Sequence, residues 1–378
     1  MIIQTFNGAL RRLPDFDVVE YTRHSRPFHH FPLRGKIRDL IKGNLPFFVP
    51  RDFRELLDRE QPDIALIHNT IPLINPWILP ELRRRRIPVL ATIYNFRLLC
   101  PRGTCVLNEN FCDLCHRWTP IWSMIFNCLR KRSYSLIYAY RFCIHHLLLK
   151  YIDAFICSVK YRTEFMQGHL PKHKVYFLIH YMSVDPQLIE SSEERQDYIL
   201  FAGRFVEDKG IRLALECAKS LPKIQFKIYG EGPLEGMCRD FISSNRLTNV
   251  ELHPWAKRQD NLKHIRFARI FLFPSVYREF GGILCEAMLL KTACVVARNP
   301  VSQTVIRPGE NGFLFDPKNI PALVDTIKQI WNDTALLKRV GEQAHKEVLR
   351  YNDIDFFVQQ VQDIARDIKR EGSKTLRD

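Results

Sequence analysis

The sequence predicts an α/β protein made of two domains, each with a parallel sheet. The chain has 378 residues, which is more than one ordinary hydrophobic core accommodates. Short runs rich in Ile, Val and Phe alternate with helix-length segments in both halves. A polar stretch without a strand, "SVDPQLIESSEERQD" at 183–197, separates the two sets. Runs of this kind are typical of parallel strands covered by helices on both faces, so we expect two doubly wound domains.

Ten apolar runs are predicted as strands, four in the first half of the chain and six in the second. They are 64–68, 89–94, 154–159, 175–180, 198–203, 225–230, 250–255, 270–275, 294–298 and 312–316. Ahead of them, residues 1–12 have a helical pattern and "DFDVVEYTRH" (15–24) is predicted as a further strand. A doubly wound domain normally opens on a strand and a tight turn. We therefore expect that these are missing here, through a truncated gene, a misplaced start codon or degeneration.

The composition favours a globular protein with phosphate-bearing partners. Hydrophobic residues make up 46% of the chain, and Lys and Arg exceed Asp and Glu by 56 to 41. The net charge of +15 suits nucleotides, nucleic acid or an anionic membrane face. No apolar run is long enough for a transmembrane helix or a signal peptide, and the eleven cysteines are interpreted as reduced thiols or metal ligands. These features predict a cytoplasmic location.

Two cations follow the first strand of the second half. Arg204 comes directly after that strand and Lys209 lies five residues further on, before a predicted helix. Ligands of doubly wound domains bind beyond the carboxyl ends of the strands. An arginine can donate to two oxygens at once while a lysine adds a point charge, so the pair suits a diphosphate. An ordinary pair of surface cations is the alternative.

A second loop, "PSVYREFGGILCEAM" (274–288), combines glycines with two acids. Gly281 and Gly282 allow close approach of the backbone, and a helix from about Ile283 offers unpaired N–H groups to a phosphate. Glu286, in the first turn, can accept hydrogen bonds from ribose hydroxyls, and Glu279 from sugar hydroxyls.

A third loop, "YGEGPLEG", has glycines after a strand. Gly230 opens it, and its spacing is one residue away from a dinucleotide fingerprint. It fits a turn at the edge of a nucleotide site.

The order of "ILFAGRFVEDKG", "KIYGEGPLEGM", "VELHPWAKRQD" and "IFLFPSVYREFGGILCEAM" resembles the C-terminal domain of glycosyltransferase family 4, the group 1 glycosyltransferases. The resemblance implies the GT-B fold, in which two facing Rossmann-like domains hold a sugar nucleotide in a cleft. The implied domains are 1–185 on the acceptor side, a linker at 186–197, a nucleotide-sugar domain at 198–350, and a helix within 351–378 that crosses back to the first domain.

The resemblance also implies roles for the residues named above. Arg204 and Lys209 would bind the donor diphosphate, Glu286 the ribose and Glu279 the donor sugar. The N–H groups near Gly282 and Ile283 would meet the phosphate, beside Gly230 and Gly281. Transfer would proceed with retention, and no divalent metal or other cofactor is expected because side-chain cations neutralise the leaving group. The family places seven residues between its two glutamates, whereas this chain has six, so either Glu279 keeps the role or Arg278 has replaced the acid.

The first half resembles the family's N-terminal domain. His68 and Asn69 follow a strand and would line the cleft. In "TIYNFRLLCP" the family commonly carries His before Asn or Asp, but here Tyr94 precedes Asn95. A tyrosine can hydrogen-bond a sugar hydroxyl, yet it cannot take over the protonation of a histidine near neutral pH.

Four cysteines lie close together, in "CPRGTCVLNENFCDLC" (100–115). Cys100, Cys105, Cys112 and Cys115 are a candidate structural zinc site, the alternatives being reduced thiols or an adventitious disulfide.

The segment 116–151 is basic, aromatic and helical in pattern. One interpretation is a lipid-facing surface near the acceptor, formed by Trp118, Trp122, Phe126, Arg130, Lys131 and Arg132. The other is a core helix pair with basic solvent faces.

Together these features predict a retaining hexosyltransferase that moves a sugar from a nucleotide-diphosphate donor to a lipid-linked surface glycan, at the inner face of the cell membrane. No nucleic-acid partner is expected. One alternative is a catalytically impaired remnant that only binds sugar nucleotides. An NAD-dependent oxidoreductase is a further alternative that rests on the glycine spacing alone.

Overall fold

The structure is a computed structural model of the chain. It describes residues 7–8, 10–11, 16–22, 45–68, 74–107, 110–115, 119–129, 132–157, 160–178, 184, 186–190, 194–255, 257–276, 281–350 and 352–375. The chain divides into two compact units. The N-terminal unit comprises Phe6–Ile179 together with Asp355–Asp378, and the C-terminal unit comprises His180–Ile354 with Met1–Thr5.

The N-terminal unit contains a four-stranded parallel sheet in the order β1-β2-β5-β6. Its elements are α1 (Arg51–Glu60), β1 (Ala65–Ile67), α2 (Ile78–Arg84), β2 (Val89–Ile93), β3 (Val106–Leu107), β4 (Asn110–Phe111), α3 (Ile121–Ile125), α4 (Arg132–Leu148), β5 (Ala154–Cys157), α5 (Lys160–His169) and β6 (Lys174–Phe177). Every residue of β2 and β5 is buried, which explains why these strands are continuous apolar runs.

The four strands predicted in this half are confirmed, and two other features differ from expectation. The described residues 16–22 contain no strand, so the prediction for 15–24 is wrong over that part. A segment of strand-like composition forms a strand only where a neighbouring strand pairs with it, and the local sequence does not show whether one does. The antiparallel pair β3–β4 was not predicted, because two-residue strands leave no periodic signal.

The last helix, α14 (Ile354–Thr375), lies almost wholly within the N-terminal unit. Its buried residues Phe357, Val361, Ile364 and Ile368 recur at helical spacing and form one apolar stripe. The hydroxyl of Tyr176 on β6 donates a hydrogen bond of 3.3 Å to Asp367.

The C-terminal unit contains a six-stranded parallel sheet in the order β12-β11-β10-β7-β8-β9. Its elements are α6 (Pro186–Ile189), β7 (Gln196–Ala202), α7 (Ile211–Ser220), β8 (Gln225–Tyr229), α8 (Glu235–Ser244), β9 (Val250–His253), α9 (Arg258–Phe267), β10 (Ala268–Phe273), α10 (Gly282–Leu289), β11 (Ala293–Ala297), α11 (Ser302–Val305), β12 (Phe313–Phe315), α12 (Ile320–Trp331) and α13 (Thr334–Leu349). All six strands predicted in this half are confirmed. Buried side chains cover both faces of the sheet, as expected for a doubly wound domain.

At the amino end of this sheet, polar side chains bind the carbonyl groups that end three helices. The guanidinium of Arg195, just before β7, donates five hydrogen bonds: to the carbonyls of Arg266, Ala268, Leu290 and Lys291 and to the hydroxyl of Thr292. These carbonyls lie at or just beyond the ends of α9 and α10. The amide of Asn249 donates three bonds to carbonyls around the end of α7. The side chains of Arg195 and Asn249 thus supply hydrogen-bond donors to helix carbonyls that have no partner within their own helix.

No helix within the described ranges is both long enough and apolar enough to cross a bilayer.

Candidate functional site

In the N-terminal unit, three of the predicted site residues line one pocket. His68 follows β1, and Tyr94 and Asn95 follow the neighbouring strand β2. The pocket has an empty volume of about 750 Å³, part of which is open to solvent. Its polar lining residues are His68, Thr92, Tyr94, Asn95, Arg97 and His145. Asn69, the other residue predicted here, lies outside the described residues.

His68 is the centre of a small hydrogen-bonded group. Its Nδ1 lies 2.8 Å from the hydroxyl of Tyr94 and 2.9 Å from that of Thr92. Burial lowers the pKa of His68 to about 4, with a smaller opposing effect from Glu20. Burial also raises the pKa of Tyr94. Both side chains are therefore neutral at pH 7, so the group offers hydroxyl and imidazole hydrogen bonds to a ligand rather than a charge.

Helix α4 contributes His145 to the lining of the pocket, close to the side chains of Arg97 and Arg141. The guanidinium of Arg97 lies over the ring of Tyr138, with its central carbon 5.1 Å from the ring centroid. Arg141 donates a 3.3 Å hydrogen bond to the carbonyl of Ile74. Burial, and after it the charge of Arg141, lowers the pKa of His145 to about 3. The positive charges of Arg141 and Arg97 therefore add to the effect of burial and keep His145 neutral where it lines the pocket.

Sequence reasoning missed three residues of this pocket: Thr92, Arg97 and His145. Thr92 had a signal, because it is a hydroxyl within the otherwise apolar and fully buried strand "VLATI". His145 is one helical turn from Arg141 and two from Tyr138, so all three fall on one face of α4. That face could be connected with β2 only through the tertiary structure.

In the C-terminal unit, glycines hold two loops at the carboxyl end of the sheet in direct backbone contact. A Cβ atom on Gly230 would lie 1.9 Å from the carbonyl oxygen of Gly203. A Cβ atom on Gly232 would lie 2.5 Å from that of Phe205. The loop after β8 is thereby pressed against the segment that contains Arg204. Gly230 thus has a packing role in addition to the nucleotide contact predicted for it.

The loop that carries Lys209 is joined to the segment after β10. Gly210 has a φ of +70°, and a Cβ there would lie 2.0 Å from the carbonyl oxygen of Pro274. The hydroxyl of Ser275 donates to the carbonyl of Asp208 at 3.2 Å, and Asn299, after β11, donates to the carbonyl of Ser275 at 3.3 Å. The loops after β7, β10 and β11 therefore form one connected surface. Arg204 is exposed at the carboxyl end of β7.

Four helices that begin at this end of the sheet lack side-chain caps. The N-cap residues of α7, α8, α9 and α10 are Gly210, Leu234, Lys257 and Gly281, and none of them accepts a capping hydrogen bond within the described part of the chain. At the edge of the sheet, α12 follows β12 and is capped by Asn319. Asp333 caps the next helix, α13. The first N–H groups of a helix have no intrahelical partner, so the N–H groups of Gly282 and Ile283 at the start of α10 are suited to an anion.

Glu286 is buried in the second turn of α10, not in the first turn as predicted, because the helix begins at Gly282 rather than about Ile283. Its Oε1 accepts a 2.9 Å hydrogen bond from Arg258, the first residue of α9. Burial raises the pKa of Glu286, and the charge of Arg258 opposes that effect. Sequence reasoning missed Arg258, which lies 28 residues away in the chain. Glu279 and Arg278 are outside the described residues, so the choice between them stays a prediction.

The four clustered cysteines are free thiols, as are the other seven. Within the residues that the structure describes, no group of three or more His, Cys, Asp or Glu is arranged to hold a metal ion. Hydrogen bonds from Cys105 and from the backbone of residues 103–105 lower the pKa of Cys100 to about 5. Burial raises the pKa of Cys115 to about 12.

Three of the residues predicted to face lipid are described. Trp122 and Phe126 are exposed on and just after α3, with their rings stacked at 6.1 Å between centroids. Arg132 begins α4 and is exposed. Trp118, Arg130 and Lys131 lie outside the described residues.

Residues 187–347 match the family model for group 1 glycosyl transferases. Over 190 residues the chain is 25% identical to an uncharacterized glycosyltransferase of Methanocaldococcus jannaschii, covering 50% of this chain and 53% of that protein. Over 155 residues it is 26% identical to the lipopolysaccharide core biosynthesis glycosyltransferase LpsE of Rhizobium meliloti, covering 40% and 44%. The chain thus spans about half the length of these curated relatives.

Solved structures resemble nearly the whole chain. Sucrose-phosphate synthase from Thermosynechococcus elongatus superposes with a TM-score of 0.64 at 15% identity, covering 95% of this chain and 87% of that one. HepE of Anabaena, solved in complex with UDP and glucose, gives a TM-score of 0.61 at 14% identity, covering 86% and 84%. The predicted fold class is confirmed: the chain consists of two parallel-sheet α/β domains with the GT-B fold of glycosyltransferases, and its residues 187–347 match the group 1 family.

Proposed function

We propose that the protein is a retaining glycosyltransferase that moves a hexose from a nucleotide-diphosphate sugar to a lipid-linked glycan. One observation carries the proposal. The carboxyl end of the C-terminal sheet combines an exposed arginine, a lysine loop and an uncapped, glycine-led helix start, and it falls within the segment that matches group 1 glycosyl transferases. Solved proteins of similar fold, HepE among them, bind UDP and a sugar.

The diphosphate would be bound by Arg204, Lys209 and the N–H groups of Gly282 and Ile283. Negative charge builds up on the leaving diphosphate as the sugar–oxygen bond breaks. Groups held in place before the reaction stabilise that charge without having to reorganise, which is the largest electrostatic contribution that a site of this type can make. The contacts of Gly210 with Pro274 and of Ser275 with Asp208 hold these loops in place. The acceptor oxygen would then bond to the sugar carbon on the face that the diphosphate has left, and its proton would pass to an oxygen of the departing diphosphate.

Glu286 would bind the ribose hydroxyls through Oε2. Arg258 donates to Oε1, and among the described residues none donates a hydrogen bond to Oε2. The ion pair with Arg258 keeps the carboxylate oriented despite its burial. Glu279 would accept hydrogen bonds from the donor sugar.

The pocket of the N-terminal unit would bind the acceptor side of the reaction. His68, Tyr94 and Asn95 provide neutral hydrogen-bonding groups, which suit sugar hydroxyls. Two relatives are named for lipopolysaccharide core biosynthesis and for transfer of O-antigen chain mannose, and these names favour a surface glycan as acceptor. Such an enzyme would work in the cytoplasm, at the inner face of the cell membrane. Side-chain cations would take the place of a divalent metal at the diphosphate.

Isothermal titration calorimetry with UDP, GDP, ADP and NAD tests the donor site. We expect one nucleoside diphosphate to bind and NAD not to bind. Glu286→Gln should lower the affinity by about tenfold, the value of one hydrogen bond to a charged group. Glu342→Gln, at an exposed position on α13, is the matched control and should leave the affinity unchanged.

A turnover assay with a panel of nucleotide sugars separates the enzyme from a remnant that only binds. Release of the nucleoside diphosphate from one of the sugars supports the proposal. Binding without turnover would favour a catalytically impaired sugar-nucleotide-binding protein, and the absence of both would contradict either function.

A further inference from the structure

The short helix α3 has an apolar outer surface. Five large hydrophobic side chains on and just after it are between 38% and 60% exposed: Ile121, Trp122, Met124, Ile125 and Phe126. Ser123 is the buried residue of the helix, and its hydroxyl donates to the carbonyl of Pro120. Contiguous exposed apolar surface of this kind is unusual on soluble proteins and marks an interaction site.

The neighbouring helix α4 continues this surface. α3 packs against α4, and the hydroxyl of Ser135 donates to the side chain of Asn127 between them at 3.4 Å. Leu136 and Leu147 on α4 are more than half exposed. Nine of the sixteen exposed large hydrophobic side chains in the described residues fall between positions 114 and 147. The exposure is therefore concentrated in one part of the N-terminal unit.

The sequence segment that contains this surface carries charge of one sign. From position 114 to position 152 the sequence contains no Asp or Glu. It contains six cationic residues: Arg117, Arg130, Lys131, Arg132, Arg141 and Lys150. Arg141 is buried, whereas Arg132 and Lys150 are exposed. A protein partner with an apolar patch would not require such a bias, whereas an anionic bilayer attracts each cation near its surface.

We propose that α3 and the exposed side chains of Leu136 and Leu147 on α4 insert into the interface of an anionic lipid bilayer. Together they are named the α3–α4 surface. Tryptophan and phenylalanine side chains suit the boundary between headgroups and acyl chains, and the cations attract the headgroups. The proposal deepens the proposed function, because it rests on a lipid-linked acceptor for its biological purpose. The opposite face of α4 bears His145, which lines the proposed acceptor pocket, so one helix connects the bilayer surface with that pocket.

Co-sedimentation of the full chain with vesicles tests the proposal. We expect binding to vesicles of phosphatidylcholine mixed with phosphatidylglycerol, little binding to phosphatidylcholine alone, and weaker binding as salt rises. Ile125→Glu should lower the affinity for the anionic vesicles by about tenfold or more, because it places a negative charge in the interface. Quenching of tryptophan fluorescence by brominated lipid should decrease in Trp122→Phe.

Leu349→Glu is the matched control, since it changes an exposed leucine of α13 in the C-terminal unit. It should bind vesicles as the unchanged protein does, and both variants should keep the thermal unfolding midpoint. Failure of the unchanged protein to bind either vesicle, or equal binding by Ile125→Glu, would overturn the proposal. Self-association that Ile125→Glu abolishes, without vesicle binding, would assign the surface to a second copy of the chain instead. UDP affinity is measured separately, so failure at the membrane is distinguishable from failure of the proposed donor site.

Discussion

Arg195 and Arg204 stand just outside the two ends of the same strand, β7, and their surroundings differ completely. The guanidinium of Arg195 makes five hydrogen bonds to four carbonyls and a hydroxyl, whereas Arg204 is exposed. The difference extends to the rest of each edge. At the amino edge, Arg195 and Asn249 satisfy the carbonyl ends of helices. At the carboxyl edge, the N-termini of α7 to α10 have no side-chain caps.

This comparison teaches that one sheet can assign its two edges to different tasks. Parallel strands connected by helices bring all helix C-termini to one edge and the N-termini of the following helices to the other. Saturating the carbonyls at the amino edge stabilises the unit. At the carboxyl edge, helix N–H groups without a side-chain cap and the exposed Arg204 contribute less to stability, but they provide a site for an anion.

Removing Arg195 should have the largest effect. Burial lowers its pKa to about 10, so the group is still charged at pH 7, and its loss leaves several carbonyls without a donor. We expect Arg195→Ala to lower the free energy of unfolding of the C-terminal unit by about 3–5 kcal/mol, measured by urea denaturation. Arg204→Ala should change it by less than about 0.5 kcal/mol. Equal losses in the two variants would refute the contrast between the edges.

Acid should destabilise the carboxyl edge of the N-terminal sheet, which relies on neutral rather than cationic groups. The pKa of His68 is about 4 in the folded chain against 6.5 for an unperturbed histidine, so the unfolded chain binds more protons between these values. Stability is therefore lost as the pH falls from about 6.5 to about 4, by up to roughly 3 kcal/mol for this one group. Urea denaturation across that range should show the loss, and His68→Gln should reduce its slope. A slope unchanged in the variant would mean that His68 is not the responsible group.

Arg204→Ala should weaken donor binding while it leaves folding intact. The loss of a charged hydrogen bond to a phosphate corresponds to about a ten- to hundredfold decrease in affinity for the nucleoside diphosphate, measured by calorimetry. Arg246→Ala is the matched control, because this exposed arginine precedes β9 at the amino edge. Equal affinity in the two variants would remove Arg204 from the proposed site.

The smallest expected effect is a gain in stability. Lys257 is the exposed N-cap residue of α9, and its extended backbone is compatible with a capping serine. Lys257→Ser should raise the free energy of unfolding by about 0.5–1 kcal/mol, seen as a higher thermal midpoint. No gain would indicate that the first N–H groups of α9 are already satisfied, and the description of the carboxyl edge would need revision at that helix.

Features of the site that depend on residues close in sequence could be predicted, whereas contacts between distant residues could not. The positions of Arg204 and Lys209 after β7 are local facts, so the sequence was sufficient to place them at the end of a strand. The ion pair of Glu286 with Arg258 joins two helices separated by a strand, and no local pattern indicates it. The predicted start of α10 was one residue too late, which moved Glu286 from the second turn to the first. Glycine at position 282 has a poor helix propensity, so the sequence does not indicate that the helix begins there.

By itself, the sequence determined the ten strands, the division into two parallel-sheet units and the order of the loops beyond the strands. It could do so because buried parallel strands are continuous apolar runs, a property that each segment displays without its neighbours. The tertiary structure alone decided which side chains meet, such as His68 with Thr92 and Tyr94, and Arg195 with the helix ends. It also decided that the apolar side chains of α3 are exposed to solvent. The physical reason is that these outcomes depend on the packing of segments distant in sequence, where burial and hydrogen-bond partners are set only after the chain has folded.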